Sequence, residues 1–347
     1  MILVITSKRD SHVGPVAGHF EQAGIPWVRL NTEDFATNVE LIVTATGILY
    51  IRDSGKTIRL EEVGAVWYRK PDPVSIAHFT GLEPGALEYV EAEFGETLLG
   101  LYSLLNHVPW INNPFSTRIA HRKMLQLRTA ANLGFNTPRT IITNRPEAAL
   151  AFARALPGDV ALKSLGAIVV TQAPSKDELI QYGLFTRRVS LAELQTVKET
   201  IRNQPTVFQE FLEKKYELRI TCVGDQKFAC RIESRADDLT ADDYRFDTKR
   251  LQHTPQDCPE LARRLDGYMR AFGLNFACFD ILVTKNNTPV FLEANCNGQW
   301  YWIEQMTGLP IARAVAQYLI ATQNKQPPQV TNCTGKKDFV DAARNEH

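Results

Sequence analysis

Phe279-Asp280-Ile281-Leu282-Val283-Thr284-Lys285-Asn286-Asn287-Thr288-Pro289-Val290-Phe291-Leu292-Glu293-Ala294-Asn295-Cys296-Asn297-Gly298-Gln299-Trp300 reads as one β-hairpin that carries oxygen ligands. Its turn is expected at Asn286-Asn287, a pair that tolerates positive φ and suits a two-residue loop. That loop sets Asp280 opposite Glu293, with Asn295 two residues further along the same face. The other face then carries Phe279, Ile281 and Val283 against Ala294, Leu292 and Val290, a core surface. Cys278, Leu282 and Phe291 are expected to share the face of the acids.

Two carboxylates and an amide oxygen on one strand face form a hard, all-oxygen site. Such a set suits Mg²⁺, with Mn²⁺ as the alternative, held against phosphate oxygens. That chemistry points to phosphoryl transfer. The apolar neighbours put the carboxylates in a cleft, where they need a charge partner.

The rest of the chain bounds this reading. It has 347 residues, 44% hydrophobic and 22% charged, which fits a soluble globular protein of two or three domains. Lys plus Arg equals Asp plus Glu at 39 each, so no basic excess marks a nucleic-acid binder. Six cysteines, at 222, 230, 258, 278, 296 and 333, contain no CxxC pair and read as reduced thiols of a cytoplasmic protein. Met1-Ile2-Leu3-Val4-Ile5-Thr6 lacks a preceding basic region and reads as a first strand, not a signal peptide. No apolar run reaches membrane-spanning length.

The fold class expected is α/β and α+β. Residues 1–112 alternate strands (Ile2 to Thr6, Trp27 to Leu30, Val39 to Thr44, Ala65 to Tyr68) with helices, among them the run Leu87, Val90, Phe94, Leu98, Leu101 and Leu105. A mostly parallel sheet follows from that alternation. Asn112-Asn113-Pro114 marks a boundary, after which Ser116 is expected to cap a helix reaching Asn132. Residues 113–205 form a second unit, with strands Thr140 to Thr143 and Val160 to Lys163 and helices Glu147 to Ala155 and Leu191 to Asn203. Residues 206–323 are β-rich, with strands Val207 to Leu212, Glu217 to Val223 and Lys227 to Glu233, the hairpin, and helices Cys258 to Phe272 and Pro310 to Thr322. Residues 324–347 read as a flexible polar tail.

Thr206-Val207-Phe208-Gln209-Glu210-Phe211-Leu212 is a strand whose end can offer backbone groups edge-on to a purine, with Glu217 in reach of ribose hydroxyls. Lys163 closes a buried strand and Lys123 sits in the helix after Pro114. Each is a candidate for an anionic ligand, or a solvated surface lysine. Arg219 and Arg231 lie on successive strands. A three-residue loop, Gly224 to Gln226, sets them opposite on one face, and a two-residue loop, Gly224-Asp225, splits them. The three-residue loop is the expectation. Trp300, Tyr301 and Trp302 read first as packing beside a helix, and second as a wall of a peptide cleft.

The order Lys123, Lys163, Gln209-Glu210-Phe211-Leu212, Glu217-Leu218-Arg219, Arg231, Asp280, Glu293-Ala294-Asn295 resembles the ATP-grasp superfamily. Within it, Ala65-Val66-Trp67-Tyr68-Arg69-Lys70, Phe272-Gly273-Leu274-Asn275, Asn297-Gly298-Gln299-Trp300-Tyr301-Trp302-Ile303-Glu304 and Gly308-Leu309-Pro310-Ile311 resemble the microviridin-ligase (graspetide macrocyclase) branch, over residues 1–323. The resemblance implies an ATP-grasp fold: an N-terminal α/β domain, a central lid domain and a C-terminal ATP-grasp domain, with ATP between the last two. It implies activation of Asp or Glu side chains of a ribosomal precursor peptide as acyl phosphates, with ω-ester or ω-amide ring closure. By the same resemblance Lys123 and Lys163 bind phosphates, Gln209, Glu210, Phe211 and Leu212 frame the adenine, and Glu217 binds ribose. Asp280, Glu293 and Asn295 hold Mg²⁺, and Arg219 and Arg231 act on the transferred phosphate. Asp243-Tyr244-Arg245, with Asn297, resembles the element placed near the substrate carboxylate, with Tyr where family members carry Trp.

Partners implied are a precursor peptide with its leader, which the helix Leu191 to Asn203 is placed to dock or else serves as an ordinary lid helix. Neither nucleic acid nor membrane is implied, and a homodimer is allowed. Two other readings stay open: a ligase that joins a free amino acid such as glutamate to a protein or small carboxylate, and a silent ATP-binding module. Ser164-Leu165-Gly166, where the superfamily often has a glycine-rich phosphate loop, holds only one glycine.

Overall fold

The computed structural model describes residues 1–35, 37–43, 49–53, 56–74, 79–166, 169–175, 178–183, 186–233 and 251–323. Asp243, Tyr244 and Arg245 lie outside them, as does the polar tail. The chain divides into two compact units, one of Met1–Pro114 with the described residues from Ala312 on, the other of Phe115–Ile311.

In the first unit, β1 (Ile2–Thr6), α1 (Val13–Gln22), β2 (Trp27–Asn31), β3 (Val39–Val43), β4 (Leu49–Asp53), β5 (Lys56–Arg59), β6 (Ala65–Tyr68), α2 (Pro84–Leu104) and β7 (Trp110–Ile111) follow in order. Four strands form the expected parallel sheet, in the order β2-β1-β6-β7. β1 is buried on both faces because helices cover a parallel sheet on each side, so it reads as a continuous apolar run. β3, β4 and β5 form a separate antiparallel sheet.

The second unit begins with α3 (Pro114–Ala120) and α4 (Lys123–Asn132), then β8 (Thr140–Thr143), α5 (Pro146–Arg154), β9 (Val160–Lys163), β10 (Val169–Ser175), β11 (Glu178–Gly183), β12 (Arg187–Val189) and α6 (Leu191–Thr196). It continues with β13 (Thr206–Glu210), β14 (Lys214–Val223), β15 (Gln226–Ile232), β16 (His253–Pro255), α7 (Pro259–Phe272), β17 (Phe276–Thr284), β18 (Pro289–Asn295) and α8 (Tyr301–Thr307). The last described helix, α9 (Ile311–Gln323), belongs mostly to the first unit. A Cβ on Gly64 there would lie 2.9 Å from the Gln323 carbonyl oxygen. Among the described residues no helix is long and apolar enough to cross a membrane.

Two expected helices are broken. The one after Asn113 starts at Pro114, whose missing N–H suits a first helical turn, so Ser116 lies inside that turn and not at the cap. Arg122 then takes an extended conformation, and the Gln126 side-chain amide donates to the Ala120 carbonyl at 2.6 Å. A side chain thus satisfies a carbonyl that the end of α3 leaves over. The helix at 191–203 opens with a capping box between Ser190 and Glu193. It tightens to a 3₁₀ turn over Lys198–Asn203, where Thr196 and Thr200 hydroxyls donate to the carbonyls three residues back at 2.7 Å.

β10 and β11 form a two-stranded antiparallel sheet of their own, and of the two main antiparallel sheets of this unit the smaller runs β12-β9-β13-β8 and packs Val160 and Phe208 against Ala149, Leu150 and Leu194. The larger runs β16-β15-β14-β17-β18. Its apolar face, with Leu218, Ile220, Phe279, Ile281 and Phe291, packs on Leu261, Leu265, Tyr268 and Phe272 of α7 and Ala130 of α4. Tyr268 is the hub, its ring 5.2 Å from that of Phe279 and 5.4 Å from that of Phe291. This layer holds the opposite, polar face rigid.

Candidate active site

That polar face belongs to the central strands. Glu217, Arg219 and Thr221 alternate along β14, and Cys278, Asp280 and Leu282 along β17, so the period of two sends all six away from the aromatic core. Glu217, Arg219, Thr221 and Asp280 are all buried. Buried charges of this kind need partners, and the face supplies them. Arg219 Nη1 donates to both Asp280 oxygens at 2.7 and 2.8 Å, and its Nη2 donates to the Gln299 carbonyl at 3.1 Å.

Asp280 pairs with Glu293 across the ladder, as expected, but by a different route. The turn is a three-residue loop, Lys285 to Asn287, with Asn287 at φ 59° and its N–H donating to the Thr284 carbonyl at 2.9 Å. Ile281 pairs with Phe291 and Asp280 with Glu293, so Leu292 is the extra residue of a β-bulge. The expected two-residue turn is therefore wrong, and with it the sides given to Val290, Phe291 and Leu292, while Phe279, Ile281, Val283 and Ala294 keep to the core and Cys278 and Leu282 to the face of Asp280. Phe291 belongs to the core, and Leu292 lines the pocket beside Glu293.

Asn295 Nδ2 lies 3.1 Å from Asp280 Oδ2 and 3.4 Å from Glu293 Oε1, and Lys123 Nζ lies 2.8 Å from Glu293 Oε2. Among the described residues no three His, Cys, Asp or Glu side chains gather as a metal site. The donor set for a cation would be the two carboxylates and the Asn295 amide, whose oxygen would replace the Nδ2 that faces the acids here. Such an open, all-oxygen set fits Mg²⁺, an ion that keeps sites for water and phosphate oxygens. Burial pushes the nearby Cys296 thiol up to about 12.

Lys123, Lys163, Gln209 and Glu293 line one cavity, together with Gln126, Thr140, Val207 and Leu292. Residues far apart in sequence converge because β9 and β13 pair in the smaller sheet while α4 packs on β18. Gln209 is buried and donates to the Thr140 hydroxyl at 3.0 Å. Glu210 ends β13, its N–H donating to the Arg139 carbonyl at 2.8 Å, and the Phe211 N–H donates to the Asp159 carbonyl at 3.0 Å. Leu212 follows outside the ladder. Asn297 is half-buried in the loop after β18, and Trp300 is buried as packing predicts.

Arg231 is not brought to this face. β14 and β15 join through the two-residue loop Gly224-Asp225, with Arg219 opposite Cys230 and Arg231 opposite Leu218. Gly224 at φ 52° explains it, because a first loop position at positive φ defines the tight hairpin turn that matches strand twist. The Arg231 guanidinium stacks 3.9 Å over the Tyr216 ring and bonds Glu233, on the core side of the sheet. The expectation that the two arginines share a face is overturned.

Sequence reading missed Gln126, which donates to the Ala294 carbonyl at 2.9 Å and accepts from the Ala294 N–H at 3.1 Å. Its signal was its place three residues after Lys123, on the same helix face. Gly298 is required by the packing of the loop after β18. A Cβ there would lie 2.5 Å from Cys278 Cβ and 2.8 Å from Arg219 Nη2. Gly298→Ala is expected to cost about 1–3 kcal/mol by this overpacking, measured as a lower urea midpoint. An unchanged midpoint would show that the loop yields freely.

Comparison with known proteins bears on the fold and the family. The family model described as the MvdD pre-ATP grasp domain matches residues 1–118. The structure of macrocyclase MdnB from Microcystis aeruginosa MRC is 30% identical, with a TM-score of 0.73, 92% of this chain and 98% of that chain being covered. Macrocyclase MdnC of the same organism, bound with precursor peptide MdnA, is 28% identical with a TM-score of 0.81 over 92% of this chain and 99% of that chain. A Chryseobacterium gregarium RiPP-associated ATP-grasp ligase, in complex with ADP and a leader and core peptide, shares the fold at 24% identity and a TM-score of 0.84, covering 92% of this chain and 96% of that one. No curated protein matches. The fold is that of an ATP-grasp ligase. The chain belongs to the microviridin-type, graspetide macrocyclase family within that superfamily.

Proposed function

We propose that this protein is an ADP-forming ligase that activates Asp or Glu side chains of a ribosomally made precursor peptide and closes ω-ester or ω-amide rings. The observation that carries the reading is the convergence of Lys123, Lys163 and Gln209 with Glu293 on one cavity, joined through Asn295 to Asp280 and Arg219. Relatives that carry bound precursor peptide or ADP support it.

Lys123 and Lys163 neutralise phosphate oxygens of the substrate ATP, and backbone groups at Glu210 and Leu212 frame its adenine beside Gln209 and Phe211. Glu217 accepts from the ribose hydroxyls. Asp280, Glu293 and Asn295 hold Mg²⁺, or Mn²⁺ in its place, which when bound offsets the negative charge of the triphosphate. A peptide carboxylate oxygen attacks the γ-phosphorus and ADP departs. A Thr or Ser hydroxyl, or a Lys amine, of the same peptide then attacks the acyl carbon, with phosphate and a proton leaving. Arg219 orients Asp280 and, through Gln299, the loop beside it. Residues 113–205 serve as the lid that excludes water from the acyl phosphate, and 206–323 as the ATP-grasp domain. Asp243, Tyr244 and Arg245, with Asn297, stay candidates for the peptide carboxylate. The site works in the cytoplasm, with the peptide's leader as docking handle and a homodimer as the oligomer to test.

Incubation with ATP, Mg²⁺ and the short peptide encoded beside the enzyme, read by intact mass, tests the proposal. Loss of whole waters in step with ADP release is expected. ADP release with a free amino acid added to a carboxylate, or no ADP at all, would overturn it. Because Arg231 faces away from the acids, Arg231→Ala is expected to leave the rate constant within about twofold and to cost at most about 1 kcal/mol of stability. A loss of chemistry in that variant, seen as slower ADP release at saturating ATP, would restore Arg231 to the site.

A further inference from the structure

Lys214 lies on an even position of β14, in phase with the core residues Tyr216, Leu218 and Ile220, and a regular strand would drive its ammonium into the apolar layer. A β-bulge prevents this. Lys214 pairs with Thr284 and Tyr216 with Val283, so Lys215 is the extra residue and the parity of the strand changes there. Lys215 is left outside, its Nζ donating to the Asn287 side chain at 2.8 Å. Lys214 is thereby re-aimed to the polar face, where it is 5% exposed and its Nζ lies 3.0 Å from Glu217 Oε1.

A buried ammonium brings no packing gain and is tolerated only when paired. Glu217, itself buried, sits two residues from Arg219 on the same face, about 7 Å along the strand. Without the ammonium the carboxylate charge would repel a polyanionic nucleotide. The ion pair to Lys214 Nζ offsets that charge and helps to fix the acceptor plane.

We infer that Lys214 is a positioning residue that fixes the Glu217 carboxylate for the ribose hydroxyls, and so gives the site its preference for a ribonucleotide. The inference rests on the reading of this chain as an ATP-using ligase with Glu217 at the ribose.

The test compares KM and kcat for ATP with those for 2′,3′-dideoxyadenosine triphosphate, which lacks both hydroxyls, in the full-length enzyme with Mg²⁺ and its peptide. The parent protein is expected to show a KM about tenfold lower for ATP than for the dideoxy nucleotide, the worth of a hydrogen bond to a charged group. In Lys214→Met the KM for ATP rises to meet that of the dideoxy nucleotide, which itself barely changes, and kcat stays within about twofold. Lys214→Arg recovers part of the preference. Retention of the full preference in Lys214→Met overturns the inference, as does an equal rise of both KM values, which would mean that Lys214 touches the nucleotide elsewhere. If Lys214→Met does not fold, Lys214→Gln, which keeps a hydrogen-bond donor but no charge beside an intact Glu217, must still narrow the preference, and the full preference retained there overturns the inference. A parent protein that neither binds nor turns over ATP defeats the underlying reading itself, and is told apart because it fails before any substitution.

Discussion

Glu293→Gln is expected to lower ATP-dependent condensation at least about 10³-fold while the variant melts close to the parent temperature. The side chain is part-buried, 21% exposed, and an amide there still accepts from Lys123, so removing one charge costs the fold little. The chemistry has no such tolerance, because the amide keeps an oxygen but removes half of the carboxylate charge at the proposed cation site. Asp280→Asn should show the same loss of ADP release and a lower melting temperature as well. Its oxygens take both bonds from a buried guanidinium, which the substitution leaves with a neutral acceptor. Near-parent ADP release in either variant would remove these acids from the site.

Arg219→Met is expected to cost about 3–5 kcal/mol of stability, the penalty for leaving a buried carboxylate without its partner. It should also reduce turnover by on the order of 10²-fold, since Asp280 and the Gln299 carbonyl lose the group that orients both. Stability and chemistry separate in the double variant. Arg219→Met with Asp280→Asn removes both charges together, and its urea midpoint should return most of the way to the parent value while ADP release stays absent. Activity recovered along with stability would mean that the pair is structural only.

β1, β2 and β6 of the parallel sheet, β8, β9 and β13 of the smaller antiparallel sheet, and the helices α2, α7 and α9 were legible in the sequence, because each couples one clear period to a buried face, whereas the two- and three-residue strands β7 and β12 are too short to show a period and β3 left the parallel set for an antiparallel sheet. The hairpins were legible only in part. Register depends on loop length, and loop length on which loop position takes a positive φ: the first at Gly224, in the two-residue loop, and the third at Asn287, in the three-residue one. At the acids two departures offset each other: the longer turn moved the register by one residue and the bulge at Leu292 moved it back. Asp280 and Glu293 therefore faced each other as read, while Phe291 and Leu292 exchanged sides. Arg231 had no such compensation. Gln126 escaped notice because a neutral amide announces no chemistry, although it clamps the strand that carries Glu293.

That bulge also insulates the reacting end of the hairpin from its tip. Twelve residues separate Asp280 from Glu293 in the chain, and they can be laid out with a short turn and straight arms or with a longer turn and one bulged arm, the acids being opposed either way. What selects the second layout is Phe291, which fills the space against Tyr268 and Phe279. The apex at Lys285 to Asn287 is thus free to drift in sequence without disturbing the acids, while an aromatic residue on the far side of the sheet acts as the ratchet tooth that keeps the count.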